Sequence, residues 1–323
     1  MATPRTWGTE AGTIRVLPER CRLLDMTIGG HSSLWSPDPP PFAWCLGGER
    51  LWFGPEADWF WQRLGSPDFA HYKVPAVLDP DLWTVEEERE GFFRASLQAT
   101  LRSAHRDAFV SLRVERSMEL LDPVMMAGTG RGLGLLTTTA LEILDGTPGQ
   151  SVDFWSLLQV PQGGRMIVPT VGPSVPRDYF KPTPPGEVTV HSSYTEIAMR
   201  GTASFKLGIP PSQAAGRLAY VRAVDGGHLV LARSTPVHPS LRYCDAPLHA
   251  LGTQGDAFQF YCDDGSFGPF GELEHRTPAI FCGTGPQRLA ETAITRLMLL
   301  DNAAYAGWLS EFRGHFPPVN QKI

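Results

Sequence analysis

Cysteine is scarce: five residues (Cys21, Cys45, Cys244, Cys262 and Cys282) are scattered through 323 positions. An odd number at wide spacing does not make a disulfide scaffold, so a reducing cytoplasm is the expected compartment. The thiols are expected as small buried apolar groups. No C-x-x-C, H-x-H or H-E-x-x-H occurs, so no metal site is expected. Basic charge is also short. The chain carries 28 Lys+Arg against 34 Asp+Glu, a formal charge of −6, with no basic run. That removes the electrostatic footprint of a nucleic-acid or anionic-lipid binder, and neither partner is expected. No apolar run reaches the ~18 residues of a membrane-spanning helix, and Met1 to Glu10 has no apolar signal-peptide core. The G-x-S-x-G elbow and the Walker sequence are missing too, which leaves hydrolase and NTPase chemistry without a nucleophile or phosphate cradle. No cofactor is expected, and nothing in the sequence sets an oligomeric state.

What is plentiful is punctuation. The chain has 33 Gly and 29 Pro, a density above average that suits many short strands joined by turns. From Ala95 the apolar Ala95, Leu97, Ala99 and Leu101 alternate with polar residues. After a polar link (Ser103 to Asp107), Val110, Leu112 and Val114 alternate likewise, and the pattern runs on to Met118 and Leu120. Period two on both sides of a short link predicts an antiparallel hairpin with one buried face. A second hairpin is predicted over Arg217 to Ala223 and His228 to Arg233, because Asp225-Gly226-Gly227 supplies the positive φ of a tight turn. Further strands are expected at Thr189 to His191, Ala203 to Leu207, Ala257 to Tyr261 and Gly271 to Arg276.

Helical signal is thin. Ala303, Ala306, Trp308, Leu309 and Phe312 share a helical face behind Asp301 or Asn302 as cap, which predicts a short C-terminal helix over about 302–315. Gln287 to Leu300 fits either a strand or a helix. Pro37 to Pro41 and Pro173 to Pro185 read as surface loops, and Gly128-x-Gly130-x-Gly132-x-Gly134 as a glycine turn. His105-Arg106-Asp107 copies a kinase triplet without the other kinase motifs and reads as a hairpin turn. The expectation is one all-β domain over residues 1–323, a large sandwich or barrel.

Four stretches carry a resemblance. They are Gly47-Gly48-Glu49-Arg50-Leu51-Trp52-Phe53-Gly54-Pro55-Glu56, Trp155-Ser156-Leu157-Leu158-Gln159-Val160, Phe205-Lys206-Leu207-Gly208-Ile209, and Gly271-Glu272-Leu273-Glu274-His275-Arg276-Thr277-Pro278. In this order they resemble galactose mutarotase-like (aldose 1-epimerase-like) proteins, and uncharacterised bacterial members more than the well-studied epimerases. The resemblance spans Gly29 to Leu300. It implies an antiparallel supersandwich that binds a small carbohydrate, and mutarotation by a carboxylate base and an acid, often His. By their place in the order, the resemblance implies Glu274 as base and His191 as acid. The second His and the early Asn-Arg pair that aldose 1-epimerases set around the sugar have no counterpart, which touches catalysis more than binding.

On a strand, Glu272, Glu274 and Arg276 share one face, with alternate residues about 6.5–7 Å apart. Two carboxylates so spaced can flank one sugar, although a solvated sheet face produces the same pattern. His191 follows a short apolar strand, and a strand-end histidine bonded to the backbone fits equally. Aromatic platforms and charged groups recognise sugars. Candidate binding residues are therefore Trp52, Arg50 and Glu56, Gln159, Lys206, and Tyr243 with Asp245; Tyr261 with Asp263 forms a similar pair. Trp44, Trp52, Trp59 and Trp61 are mostly expected as core. Two rivals stand beside an epimerase. One is a sugar-binding or regulatory protein without chemistry. The other is a polysaccharide lyase, which needs cations such as Arg50, Arg165, Lys206 or Arg276 free to neutralise a uronate.

Overall fold

Alternation along the strands writes two antiparallel sheets with a shared core, and a computed structural model describes them over residues 3–64, 69–79, 83–121 and 132–314. Among these residues the first sheet has 11 strands and the second 10. The middle of the first sheet runs in the spatial order Arg22–Ile28, Glu49–Gly54, Ser151–Pro161, Phe270–Arg276, Phe258–Cys262, Phe205–Ile209. The second sheet centres on long strands at Phe92–Arg102, Phe109–Leu120, Gly132–Gly146, Arg288–Leu300 and Gly227–Ser234.

Both predicted hairpins form. Phe92–Arg102 pairs with Phe109–Leu120 in a register that places Leu97 opposite Val114, and the alternating apolar residues are buried. In the second, Val224 lies opposite Gly227, and Gly226 takes the positive φ (81°) that the tight turn requires. The ambiguous segment is strand over Arg288–Leu300, drawn into the sheet by ladders on both sides. The glycine turn predicted from Gly128 falls partly on residues outside those described; from Gly132 the chain is strand. The all-β expectation holds, in the form of the supersandwich.

The helix is Asn302–Arg313, and Asp301 caps it by accepting the Ala304 N–H at 2.8 Å. Its apolar face differs from the expected one. Tyr305, Trp308, Leu309 and Phe312 pack on the second sheet while Ala303 and Ala306 are exposed, because Tyr305 replaces them as the contact residue. Four of the five free cysteines are buried. No helix among the described residues is long and apolar enough to cross a membrane.

The space between the sheets is mostly apolar (Phe53, Leu112, Leu158, Leu273 and Leu297 among many), but His275 of the first sheet pairs with Glu291 of the second at 2.7 Å, and an ionic cluster is built on Glu49. Glu49 of the first sheet accepts from Arg116 at 2.6 Å and Arg233 at 2.9 Å, both on strands of the second. Ser156 also donates to Glu49, at 2.7 Å. Burial alone would push the Glu49 carboxyl up, but the two guanidiniums outweigh it and hold it well below the carboxylate range.

Candidate functional site

Because strand residues alternate, every second position of the first sheet points away from the second sheet. The registers line these positions up across five strands. Arg50, Leu157, Glu274, Gln259 and Gly208 form one row. Gln159, Glu272, Tyr261 and Lys206 form the next, and Trp52, Trp155 and Arg276 a third. One face of a regular sheet thus gathers three cations, two carboxylates and two indoles. Loops cover it, so these groups are buried rather than washed by solvent.

A cleft opens over the first two rows. Its floor holds Arg50, Glu56, Lys206, Glu272 and Glu274, and its walls are rings including Trp44, Trp52, Tyr72 and Trp155. Three further rings on loops close the rim: Phe69, Phe180 and Phe267, with centroids 5.5 Å and 5.6 Å apart for the pairs that share Phe69. Phe267 is held there by Asp263, which accepts the N–H groups of Gly265 and Phe267 and the hydroxyl of Tyr261.

The Glu272-x-Glu274 pair is no solvated face: the two residues are 6% and 0% exposed. Glu274 accepts the indole N–H of Trp155 at 2.5 Å on Oε2, and the Lys206 ammonium lies 3.3 Å from the same oxygen. Its other oxygen, Oε1, is buried with no hydrogen-bond partner. Lys206 also donates to Glu56 at 2.8 Å and sits 4.4 Å over the Trp155 ring. Burial works against the Lys206 charge, yet Glu274 and Glu56 outweigh it and raise its affinity for the proton. Glu272 Oε1 accepts from Arg50 at 2.8 Å and from Gln159 at 2.9 Å. Arg50 in turn lies 3.8 Å over the Trp52 ring. Burial, joined by the Glu274 charge, pushes the Glu272 carboxyl up to about 7 against the pull of Arg50. Burial raises Glu56 as well.

A second layer supports the floor. Arg276 bridges Asp153 and Asp245 at 3.0 Å each, and Asp245 also accepts the Glu56 N–H at 2.7 Å. Burial, with Asp245 adding to it, pushes Asp153 up to about 7 although Arg276 opposes the shift. Gly54 is required beside this pair, since a Cβ there would strike Arg276 Nη1 and Asp153 Oδ1. Gly54→Ala should therefore lower unfolding stability by about 1–3 kcal/mol, the cost of overpacking. A urea midpoint unchanged from the parent would show that the ion pair moves aside without cost.

Of the predicted residues, Glu274, Glu272, Lys206, Arg50, Trp52 and Glu56 line the cleft. Gln159, Arg276 and Asp245 stand behind them as supports. His191 requires correction as Glu274's partner. It follows an edge strand of the second sheet, stacked on Tyr194 with centroids 4.0 Å apart and its N–H on the Tyr194 carbonyl. Position along the chain had suggested it, but the ladder carries that segment to the other sheet. Tyr243 is not in the cleft either: it is fully buried, and its hydroxyl accepts the His238 N–H. Trp59 and Trp61 are core, as expected, while Trp44 reaches the cleft wall. Arg165 bonds the Tyr305 hydroxyl at the helix. Sequence reasoning missed Trp155 and Tyr72 as site residues. Trp155 was within reach, being two and four positions from Leu157 and Gln159 on one strand face. Among the described residues no group of His, Cys, Asp and Glu is arranged to hold a metal ion.

Neither a family model nor a curated protein sequence matches the chain. Solved structures do. A candidate aldose 1-epimerase of Escherichia coli K12 superposes with a TM-score of 0.58 at 11% identity, over 93% of this chain and 100% of that one. A galactose mutarotase-like protein of Lactobacillus casei gives 0.54 at 10% identity, over 91% and 100%. A GalM/aldose epimerase homologue of C. elegans gives 0.52 at 10%, over 93% and 100%. Together with the two-sheet topology, these likenesses show that the chain has the fold of the galactose mutarotase-like superfamily.

Proposed function

We propose that the cleft binds a carbohydrate and that Glu274 takes the proton from its anomeric hydroxyl, making the protein an aldose epimerase-like isomerase. One observation carries this reading: the fully buried Glu274 Oε1 has no partner while Oε2 is held by Trp155 and Lys206. A buried acceptor left bare costs about 1–3 kcal/mol, and a sugar hydroxyl donating to it removes that cost. The rings of the wall suit the C–H face of a pyranose. The galactose mutarotase-like protein of Lactobacillus casei and the aldose epimerase homologue of C. elegans, which share the fold, are named for the same chemistry.

Glu272 supplies the acid in this reading, in the place first given to His191. Its carboxyl, pushed up to about 7, is partly protonated at neutral pH and lies on the same strand face as Glu274. It can protonate the ring oxygen as the ring opens. The sign follows: the acid form is required, so the rate should fall as pH rises through about 7. Two-dimensional exchange NMR on the α and β anomers of common hexoses tests both points. The wild-type protein should accelerate exchange, and Glu272→Gln should lose the alkaline limb together with about tenfold or more of the rate. An alkaline limb that persists in Glu272→Gln would remove Glu272 from the role.

A binding protein without chemistry is the second reading, favoured by the lack of any imidazole among the described residues of the cleft. Sugars that bind without faster anomer exchange would select it. A lyase is disfavoured, since Arg50, Lys206 and Arg276 are each already engaged by carboxylates and Arg165 lies on the second sheet, bonded to Tyr305.

A further inference from the structure

The charges of the cleft and its support do not balance. Facing the cleft, three carboxyls (Glu56, Glu272, Glu274) meet two cations, Arg50 and Lys206. In the layer behind, Asp153 and Asp245 share the single charge of Arg276. All eight groups are buried, so bulk water does little to compensate the difference of two negative charges. Glu274, itself 0% exposed, lines the cleft among these groups and carries the buried, unpartnered Oε1.

Resting on the carbohydrate reading above, we infer that the preferred ligand is an amino sugar, entering with a protonated amine. The arithmetic fits one such charge. If one carboxyl keeps its proton to serve as the acid, the five carboxyls and three cations leave a single uncompensated negative charge, and one ammonium neutralises it. The rings add to the preference. Trp44, Tyr72, Phe69, Phe180 and Phe267 form a wall of π faces and edges around the acidic floor, and a cation held over such faces gains beyond the area it buries. Part of the upward displacement of these carboxyls is like-charge crowding, Glu274 beside Glu272 and Asp245 beside Glu56 and Asp153, and an added cation relieves that crowding. The same balance works against phosphorylated sugars and uronates, whose charge would enlarge the excess.

Calorimetric titration of the full chain decides it, using glucosamine, galactosamine and 6-amino-6-deoxyglucose, each beside its N-acetyl form and its parent hexose. At least one amine should bind about tenfold or more tighter than both neutral counterparts, the factor that one partly desolvated cation–π contact and its charge supply. Glu56→Gln should shrink that ratio, because it removes one negative charge from the floor, whereas Glu272→Gln should leave it nearly unchanged, because that carboxyl already carries its proton as the acid. Parent hexoses binding as well as every amine would overturn the inference and leave the carbohydrate reading standing. Failure of all the sugars, neutral and charged, would overturn the carbohydrate reading itself. A tenfold preference that survives Glu56→Gln would place the ammonium elsewhere and defeat the charge argument.

Discussion

Glu274→Gln should slow anomer exchange by about 10²–10⁴-fold, the usual contribution of a positioned general base. The substitution is nearly isosteric and removes only the capacity to accept a proton. The amide oxygen can still accept the Trp155 indole N–H, and Lys206 keeps Glu56 at 2.8 Å as its partner. The fold has little reason to change, and the thermal midpoint should stay close to that of the parent. Affinity for a neutral hexose should also hold within a few-fold, since an amide still shares a hydrogen bond with a hydroxyl. Rate and affinity thus separate: the loss falls on the chemical step, as expected for an interaction made in the transition state. The pH profile adds a second readout. If Glu272 is the acid, an alkaline limb should persist in whatever rate Glu274→Gln retains, moved to lower pH because the Glu274 charge that helps raise the Glu272 carboxyl is gone. Should the variant keep more than about a third of the parental rate, the base lies elsewhere and Glu274 serves binding alone.

How far this site could be read in advance depended on the range of the interactions that build it. Period two is a local signal, so the hairpins around Ser103 and Gly226, and the common face of Glu272, Glu274 and Arg276, were legible. Whether that face was buried was not. The loops carrying Phe69, Phe180 and Phe267 have no periodicity, and it is they that turn a half-exposed sheet into a cleft. The pairing of Trp155 with Glu274 joins residues 119 apart and exists only once the register is set. His191 failed for the same reason: order along the chain says nothing about which sheet a strand joins. One signal was present and passed over. In Val110, Leu112, Val114, Arg116, Met118 the inward series holds a charge, and an arginine at a core-facing position demands a buried partner.

That partner is Glu49, and removing it strands two buried cations between the sheets. Glu49→Ala should cost about 3–5 kcal/mol, because it leaves two guanidiniums, each 1% exposed, without their carboxylate. The two are not equally stranded. Arg233 keeps Ser156 Oγ at 2.8 Å and Thr295 Oγ1 at 2.8 Å, whereas among the described residues Arg116 keeps the Cys21 carbonyl alone, at 3.3 Å. Most of the penalty therefore sits on Arg116. Adding Arg116→Met to Glu49→Ala should recover part of the loss, by replacing a bare buried charge with an apolar chain of similar length. The pH dependence has a definite sign. Glu49 has a folded pKa held below its unfolded one, so its contribution is complete above the unfolded carboxylate pKa of about 4.3 and is lost as pH falls toward the folded value. Urea unfolding at pH 7 should show a lower midpoint at a similar slope for Glu49→Ala, with the parent converging on the variant as the solution is acidified. A double variant no more stable than Glu49→Ala would mean that the stranded arginine finds water or another partner, and that the carboxylate stabilises the two sheets by a route other than charge.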